Sequence, residues 1–178
     1  MIFNAIDPNP EYMVISVTPD LALDIGYTYA GGLGVLEGDK FYAAATLGLR
    51  YTTFCLYYEQ GYVSYDFDSN GNPIPKPQPQ TEEFIKSLKS EGVFKIKLKN
   101  EEISVEALSY TYRSAKAIFF KPISPHWALQ LTRRLYIEES IEERFYKYTL
   151  LAKTVAEYIR EYLTTYDIAF IDLQEAYT

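Results

Sequence analysis

The sequence predicts an α/β fold: a Rossmann-like, mainly parallel sheet flanked by helices, with a β-rich insertion or elaboration over residues 63–125 of a single domain spanning 1–178. Three observations predict it. An apolar run at 12–17 leads through a glycine-rich turn into a helical pattern and then a second strand-like run. Alternating and proline-punctuated segments fill the middle of the chain. A long helical pattern then precedes a last apolar run at 167–173.

Each element has a local cause. YMVISV at 12–17 is nearly all apolar and partly β-branched, the pattern of a strand covered on both faces. Pro19 and Asp20 end it. Glycines then stand at 31, 32, 34 and 38, and Leu36, Ala43, Ala44 and Leu47 recur at helical spacing until Gly48 stops the helix. RYTTFCLYY is rich in threonine and aromatic residues and reads as the next strand. Strand, glycine loop, helix and strand form a βαβ unit, for which a parallel, right-handed crossover is expected.

Beyond Gly61 the texture changes. Asn70-Gly71 suits a hairpin between YVSYDFD and the proline-rich PIPKPQPQ, which reads as an exposed extended connector. Thr81 is placed to cap a short helix in TEEFIKSLKSEG. Three strand-like pieces follow, VFKIKLKN, EEISVEALSYTYR and AKAIFF. The first puts Phe94, Ile96 and Leu98 on one face and a solvated lysine row, Lys95, Lys97 and Lys99, on the other. From Trp127 to Leu163 the chain reads as mainly helical. Leu129, Leu131 and Leu135 begin it, and Ile141, Phe145, Tyr148, Leu151, Val155 and Ile159 continue an apolar stripe with Glu142, Glu143, Arg144 and Lys147 on the wet side. DIAFIDL at 167–173 reads as another buried strand.

Bulk properties exclude several classes. Hydrophobic residues make up 48% of the chain, enough for a substantial core. With 17 Lys+Arg against 24 Asp+Glu the net charge is −7, which argues against a nucleic-acid partner. Cys55 is the only cysteine, so an intrachain disulfide and a cysteine-rich metal site are both excluded. The first residues lack the basic and apolar regions of a signal peptide, and no apolar run approaches the ~20 residues that span a bilayer. The chain therefore reads as cytoplasmic, with no membrane partner. The lone His126, in SPHWAL, fits a helix start better than a catalytic triad or metal site, with Ser124 and Pro125 as cap and first helical position. The pairs Glu138-Glu139 and Glu142-Glu143 read as solvated helix faces, since adjacent carboxylates do not converge across a sugar.

The glycine turn is the strongest candidate for chemistry. Without a β-carbon, glycine permits positive φ and close approach of a ligand to the backbone. The following helix offers unpaired N–H groups and the positive end of its dipole, a site for phosphate or developing negative charge.

On these residues the chain resembles the α-glucan phosphorylase family. YAGGLGVLEGDKFYAAATLGL is similar to that family's turn, with Gly31 to Leu36, Gly38-Asp39, Ala43-Ala44 and Leu47-Gly48 as matching points. LYYEQGY at 56–62, DFDSNGNP, QLTRRLYIEESIEERF and DIAFIDLQEAYT resemble later family segments in the same order. Starch and glycogen synthases share the shorter Gly-Gly-Leu-Gly loop, and the Gln-Gly-Tyr continuation favours phosphorylases.

The resemblance implies the N-terminal domain of a GT-B glycosyltransferase, in which two Rossmann-like domains enclose the active site. It implies substrate contacts from Gly31, Gly32 and Leu33 to the glucosyl group and its phosphate, and from Tyr177, which stands where the family has histidine. Asp39, Gln174 and Glu175 are the further cleft candidates. No catalytic residue is assigned and no metal is expected. FFKPIS at 119–124 takes the place of the family's acidic gating loop. The implied pyridoxal phosphate belongs to a C-terminal domain absent from this chain, so no cofactor is expected to bind here. The implied partners are a glucan or glucose phosphate and a C-terminal half in cis or as a separate subunit, and a homo-oligomer is compatible with them. A non-catalytic carbohydrate-binding or regulatory subunit is the alternative function. A sugar-unrelated nucleotide module, with Glu59 at the second strand end for a ribose, is a third.

Overall fold

The computed structural model describes residues 12–175. Eight strands and four helices are formed among them: β1 (Tyr12–Val17), α1 (Gly32–Thr46), β2 (Arg50–Leu56), β3 (Ser64–Phe67), β4 (Pro73–Lys76), α2 (Glu82–Ser87), β5 (Lys89–Leu98), β6 (Glu101–Tyr112), β7 (Ala115–Ser124), α3 (His126–Gln130), α4 (Ile141–Tyr162) and β8 (Asp167–Leu173).

One six-stranded sheet runs β5-β6-β7-β2-β1-β8. Strands β7, β2, β1 and β8 pair in parallel, whereas β5–β6 and β6–β7 are antiparallel. The sheet is therefore mixed, and its β-rich half continues the parallel half within a single hydrogen-bonded array. The crossover β1–α1–β2 is the βαβ unit expected from the sequence. β3 and β4 form a separate hairpin closed by Asp68, whose carboxylate accepts from the backbone N–H groups of Asn70 and Asn72.

Side chains alternate across the sheet and meet a helical layer on each face. Tyr51, Cys55, Ala117 and Phe119 pack with Leu21, Phe41, Ala44 and Phe84 on the α1/α2 face. Ile15, Phe54, Leu56, Ile118 and Phe120 pack with Leu150, Leu151, Val155 and Tyr158 on the α4 face. Phe54, Phe94, Phe120 and Tyr158 form an aromatic knot there, with ring centroids 5.5–6.1 Å apart. Cys55 is buried, and burial pushes its thiol well above the ordinary range, as suits an inert core residue.

Helix ends follow capping chemistry. Thr81 accepts from Phe84 N at the start of α2, and Ser140 accepts from Glu143 N at the start of α4. Gly48 follows α1 with φ +74°, the left-handed residue that closes a helix.

Five readings of the sequence need correction. The segment 131–140 is not helical but an irregular link between α3 and α4, and α3 starts from Pro125, since Ser124 still belongs to β7. The stripe on α4 holds at Leu151 and Val155 but not at its start, where Ile141 is 88% and Phe145 63% exposed. Lys147, expected on the wet side, is 1% exposed, and its partner Glu138 is buried too. β8 is not a buried strand: it pairs only with β1, and Phe170, Ile171 and Leu173 are exposed. Its apolar content matches a covered strand, but among its apolar side chains only Ile168 packs against the core. The segment 119–124 also lies within β7, with Phe119 and Phe120 in the two cores, so it forms no gating loop.

Candidate functional site

The carboxyl ends of β1, β2, β7 and β8 lie along one edge of the sheet, because these strands are parallel. In open α/β sheets this edge is where ligands bind. The glycine turn follows β1 at this edge. Gly31 is the N-cap of α1 with φ 124° and ψ −166°, a backbone state that a side chain would strain. No side chain caps the helix, and its first turn holds no acidic residue.

The four glycines divide by role. A β-carbon on Gly31 or Gly32 would meet nothing within 4 Å, so their outer side is open. A β-carbon on Gly34 would stand 2.5 Å from Tyr29 Cβ and 2.6 Å from Asp20 Oδ2, and one on Gly38 would land on the Ala22 carbonyl oxygen. Gly34 and Gly38 let α1 press against the loop after β1. Ala22 N donates to Gly34 O at 2.9 Å across that contact.

Asp20 fixes the turn from beneath. Its Oδ2 accepts from Ala30 N at 3.0 Å and its Oδ1 from Tyr136 OH at 2.8 Å. Burial raises its carboxyl above the usual aspartate range, against the lowering effect of both hydrogen bonds, and Glu175 adds a further upward push. Tyr136 is held protonated well above the ordinary tyrosine range by burial and by Asp20. The pair ties the glycine turn to the irregular 131–140 segment.

A second polar cluster anchors the inner face of α1. Glu37 is 0% exposed, and it accepts from Ser16 Oγ, Lys40 Nζ, Tyr51 OH and Thr53 Oγ1 at 2.8–3.0 Å. Lys40 also donates to Asp172 on β8 at 2.8 Å. Burial pulls its ammonium down, but the hydrogen bonds to Asp172 and Glu37 outweigh it and hold the pKa above the usual lysine value. Gln174 N donates to Val17 O, and its side-chain amide donates to Asp172.

The predicted residues fall out unevenly. Gly31, Gly32 and the half-buried Leu33 form the tip of α1, and Gln174 and Glu175 follow β8, with Gln174 N bonded to Val17 O at the end of β1. Asp39 is exposed on α1 and makes no hydrogen bond or ion pair with a described residue, so the structure does not bring it to the turn. Tyr177 lies outside the described residues. Sequence reasoning missed two polar pairs, Asp20 with Tyr136 and Glu37 with Lys40. Only the spacing of Glu37 and Lys40, one helical turn apart on α1, could have signalled the second pair. Among the described residues no cluster of three or more His, Cys, Asp or Glu could hold a metal ion. No helix among them is long and apolar enough to cross a membrane.

An open groove of about 650 Å³ lies beside the link after β2, where Gln60 pairs with the segment after β7 through hydrogen bonds to Arg133 and Leu135. Gln60, Trp127, Arg133 and Tyr146 are among its lining residues.

This α/β fold, a mixed sheet flanked by helices, is similar to that of a domain of a GT-B glycosyltransferase. The catalytic domain of starch synthase IV from Arabidopsis thaliana, a structure bound to ADP and acarbose, is similar over 91% of this chain with a TM-score of 0.62 and 15% identity. This chain covers 27% of that one. No protein-family profile matches the sequence, and no curated protein matches it.

Proposed function

We propose that this chain forms one wall of the substrate cleft of a GT-B glycosyltransferase acting on α-glucan or glucosyl donors. The observation that carries the proposal is the uncapped, open N-terminus of α1 at the carboxyl edge of the parallel strands, in a fold shared with a starch synthase. Gly31, Gly32 and Leu33 would let a sugar phosphate approach the helix N–H groups, which stabilise negative charge on the donor and on its leaving group. The Gln60-Gly61-Tyr62 continuation supports the phosphorylase form of the reaction over the synthase form.

The wall is incomplete as chemistry. Lys40, the only basic residue of α1, is engaged by Glu37 and Asp172. Lys147, the one buried lysine among the described residues, donates to Glu138 and to Arg134 O. Neither offers a free amine to pyridoxal phosphate or a free cation to a donor phosphate. What this chain contributes is therefore positional: it binds, orients and supplies backbone donors, while the remaining charge comes from a second domain in cis or on a separate subunit. The engagement of these two lysines also favours the second reading, a carbohydrate-binding subunit without activity of its own.

Reconstitution separates the two. The chain is combined with a GT-B C-terminal half and supplied with glucan and phosphate, and glucose 1-phosphate is measured. Formation of glucose 1-phosphate supports the transferase. A folded complex that binds glucan without turnover, with phosphate or with nucleotide sugars, supports the binding subunit.

A further inference from the structure

We infer that a pocket at the amino-terminal edge of the parallel strands binds a small organic anion, a phosphate or carboxylate group carried on an apolar body. It lies at the opposite edge from the glycine turn and does not depend on the glycosyltransferase reading. Its volume is about 290 Å³, near the lower limit of the ~300–1,000 Å³ usual for ligand sites. It opens where β1, β2 and β7 begin, beside the last turn of α4 and the link to β8. Met13, Ile118 and Leu163 give it an apolar floor that belongs to the core on the α4 face. Arg50 and Thr52 alternate with Phe54 along β2, and Lys116 alternates with Ile118 along β7, so all three stand on that same face.

Around this floor are donors without acceptors. Arg50 makes no hydrogen bond or ion pair with any described residue, and its guanidinium stands 5.7 Å from the Tyr166 ring centroid, which steadies it beside the pocket. The Thr52 hydroxyl and the Tyr158 phenol have no hydrogen-bond partner among the described residues either, although both residues are buried. Burial holds the Tyr158 phenol protonated above the ordinary range, so it offers a proton to a ligand. Lys116 is engaged by Glu91 at 3.0 Å, which leaves Arg50 as the unpaired cation of the described lining. No acidic side chain is among those lining residues, in a chain of net charge −7. The negative end of α4 opposes an anion here, but Leu163 N and Tyr166 N close the carbonyls of Ile159 and Leu163 and limit that effect. An oxyanion accepts from guanidinium, hydroxyl and phenol alike, and the arginine fork fits two of its oxygens at once. A cation would find no carboxylate among the described lining, and a bare inorganic anion would leave the apolar floor unused.

The test titrates the ¹⁵N-labelled full chain with phenyl phosphate, benzoate and benzyl alcohol, which share one apolar ring and differ in charge. Saturable amide shifts centred on Arg50 to Thr52 and on Ser114 to Lys116 are expected with the anions, and the tighter of the two names the head group. The exposed change Arg50→Gln is expected to weaken anion binding about tenfold, equivalent to ~1.4 kcal/mol. Thr52→Val keeps the β-branched shape and is expected to weaken it about threefold, as loss of one hydrogen bond does, with an unaltered urea midpoint. No saturable shift, equal binding of the neutral alcohol, unaltered affinity in Arg50→Gln, or shifts centred instead on Gly31 to Val35 would overturn the inference.

Discussion

At the scale of single residues, the glycines show how one sequence signature covers two physical roles. The spacing of 31, 32, 34 and 38 was legible as a turn leading into a helix. Which glycines face a ligand and which face the protein was not, because that depends on where the loop after β1 folds back. Gly38→Ala forces a β-carbon onto a backbone carbonyl that cannot move aside, and it is expected to destabilise by ~1–3 kcal/mol. Gly32→Ala meets open space within a helix, and it is expected to leave stability unchanged or raise it by up to ~1 kcal/mol. Only the second change narrows the approach to the helix N-terminus, so it should lower transfer by the reconstituted complex while the protein stays folded. Urea unfolding and transfer rates, measured side by side, check both outcomes.

At the scale of elements, α4 marks where periodicity stops being informative. Steps of three and four place Leu151 and Val155 correctly, because that part of the helix lies on the sheet. Its first turns overhang the groove instead, which exposes Ile141 and Phe145 and turns Lys147 inward. No pattern in the sequence announces that Glu138, ahead of the helix, folds back to meet this lysine at 2.8 Å. Burial lowers the Lys147 pKa even with Glu138 beside it, so the ammonium depends on this partner. Glu138→Ala leaves a buried charge unpaired and is expected to cost ~3–5 kcal/mol. The double change Glu138→Leu with Lys147→Met removes both charges and should recover most of that loss in urea unfolding. A double variant no more stable than Glu138→Ala would show that packing, rather than the lone charge, sets the cost.

At the scale of the whole molecule, the α/β class, the βαβ opening, the hairpin and the order of the strands along the chain were legible, because each rests on local patterns. The antiparallel joining of β5 and β6 to the parallel strands was not, since pairing partners lie far apart in sequence. Nor was the exposure of β8, whose composition suits a covered strand. The tyrosine-rich composition has a global consequence. Burial holds the phenols of Tyr51, Tyr58, Tyr136 and Tyr158 protonated beyond the ordinary range. In the unfolded chain they ionise near pH ~10. The folded state then retains protons that the unfolded state releases, so stability is full below that pH and falls as pH rises through it. Lys40, whose folded pKa is also raised, acts in the same direction. Urea midpoints should therefore hold up to about pH 10 and fall progressively above it, and a flat profile there would contradict the burial of these groups. The central claim is that the open N-terminus of α1 receives a sugar phosphate. Titration of the ¹⁵N-labelled chain with glucose 1-phosphate and ADP-glucose tests it most directly. Saturable amide shifts centred on Gly31 to Val35, weakened by Gly32→Ala, are expected; shifts confined to other regions, or none at saturating ligand with the reconstituted complex, would contradict a sugar-phosphate site there.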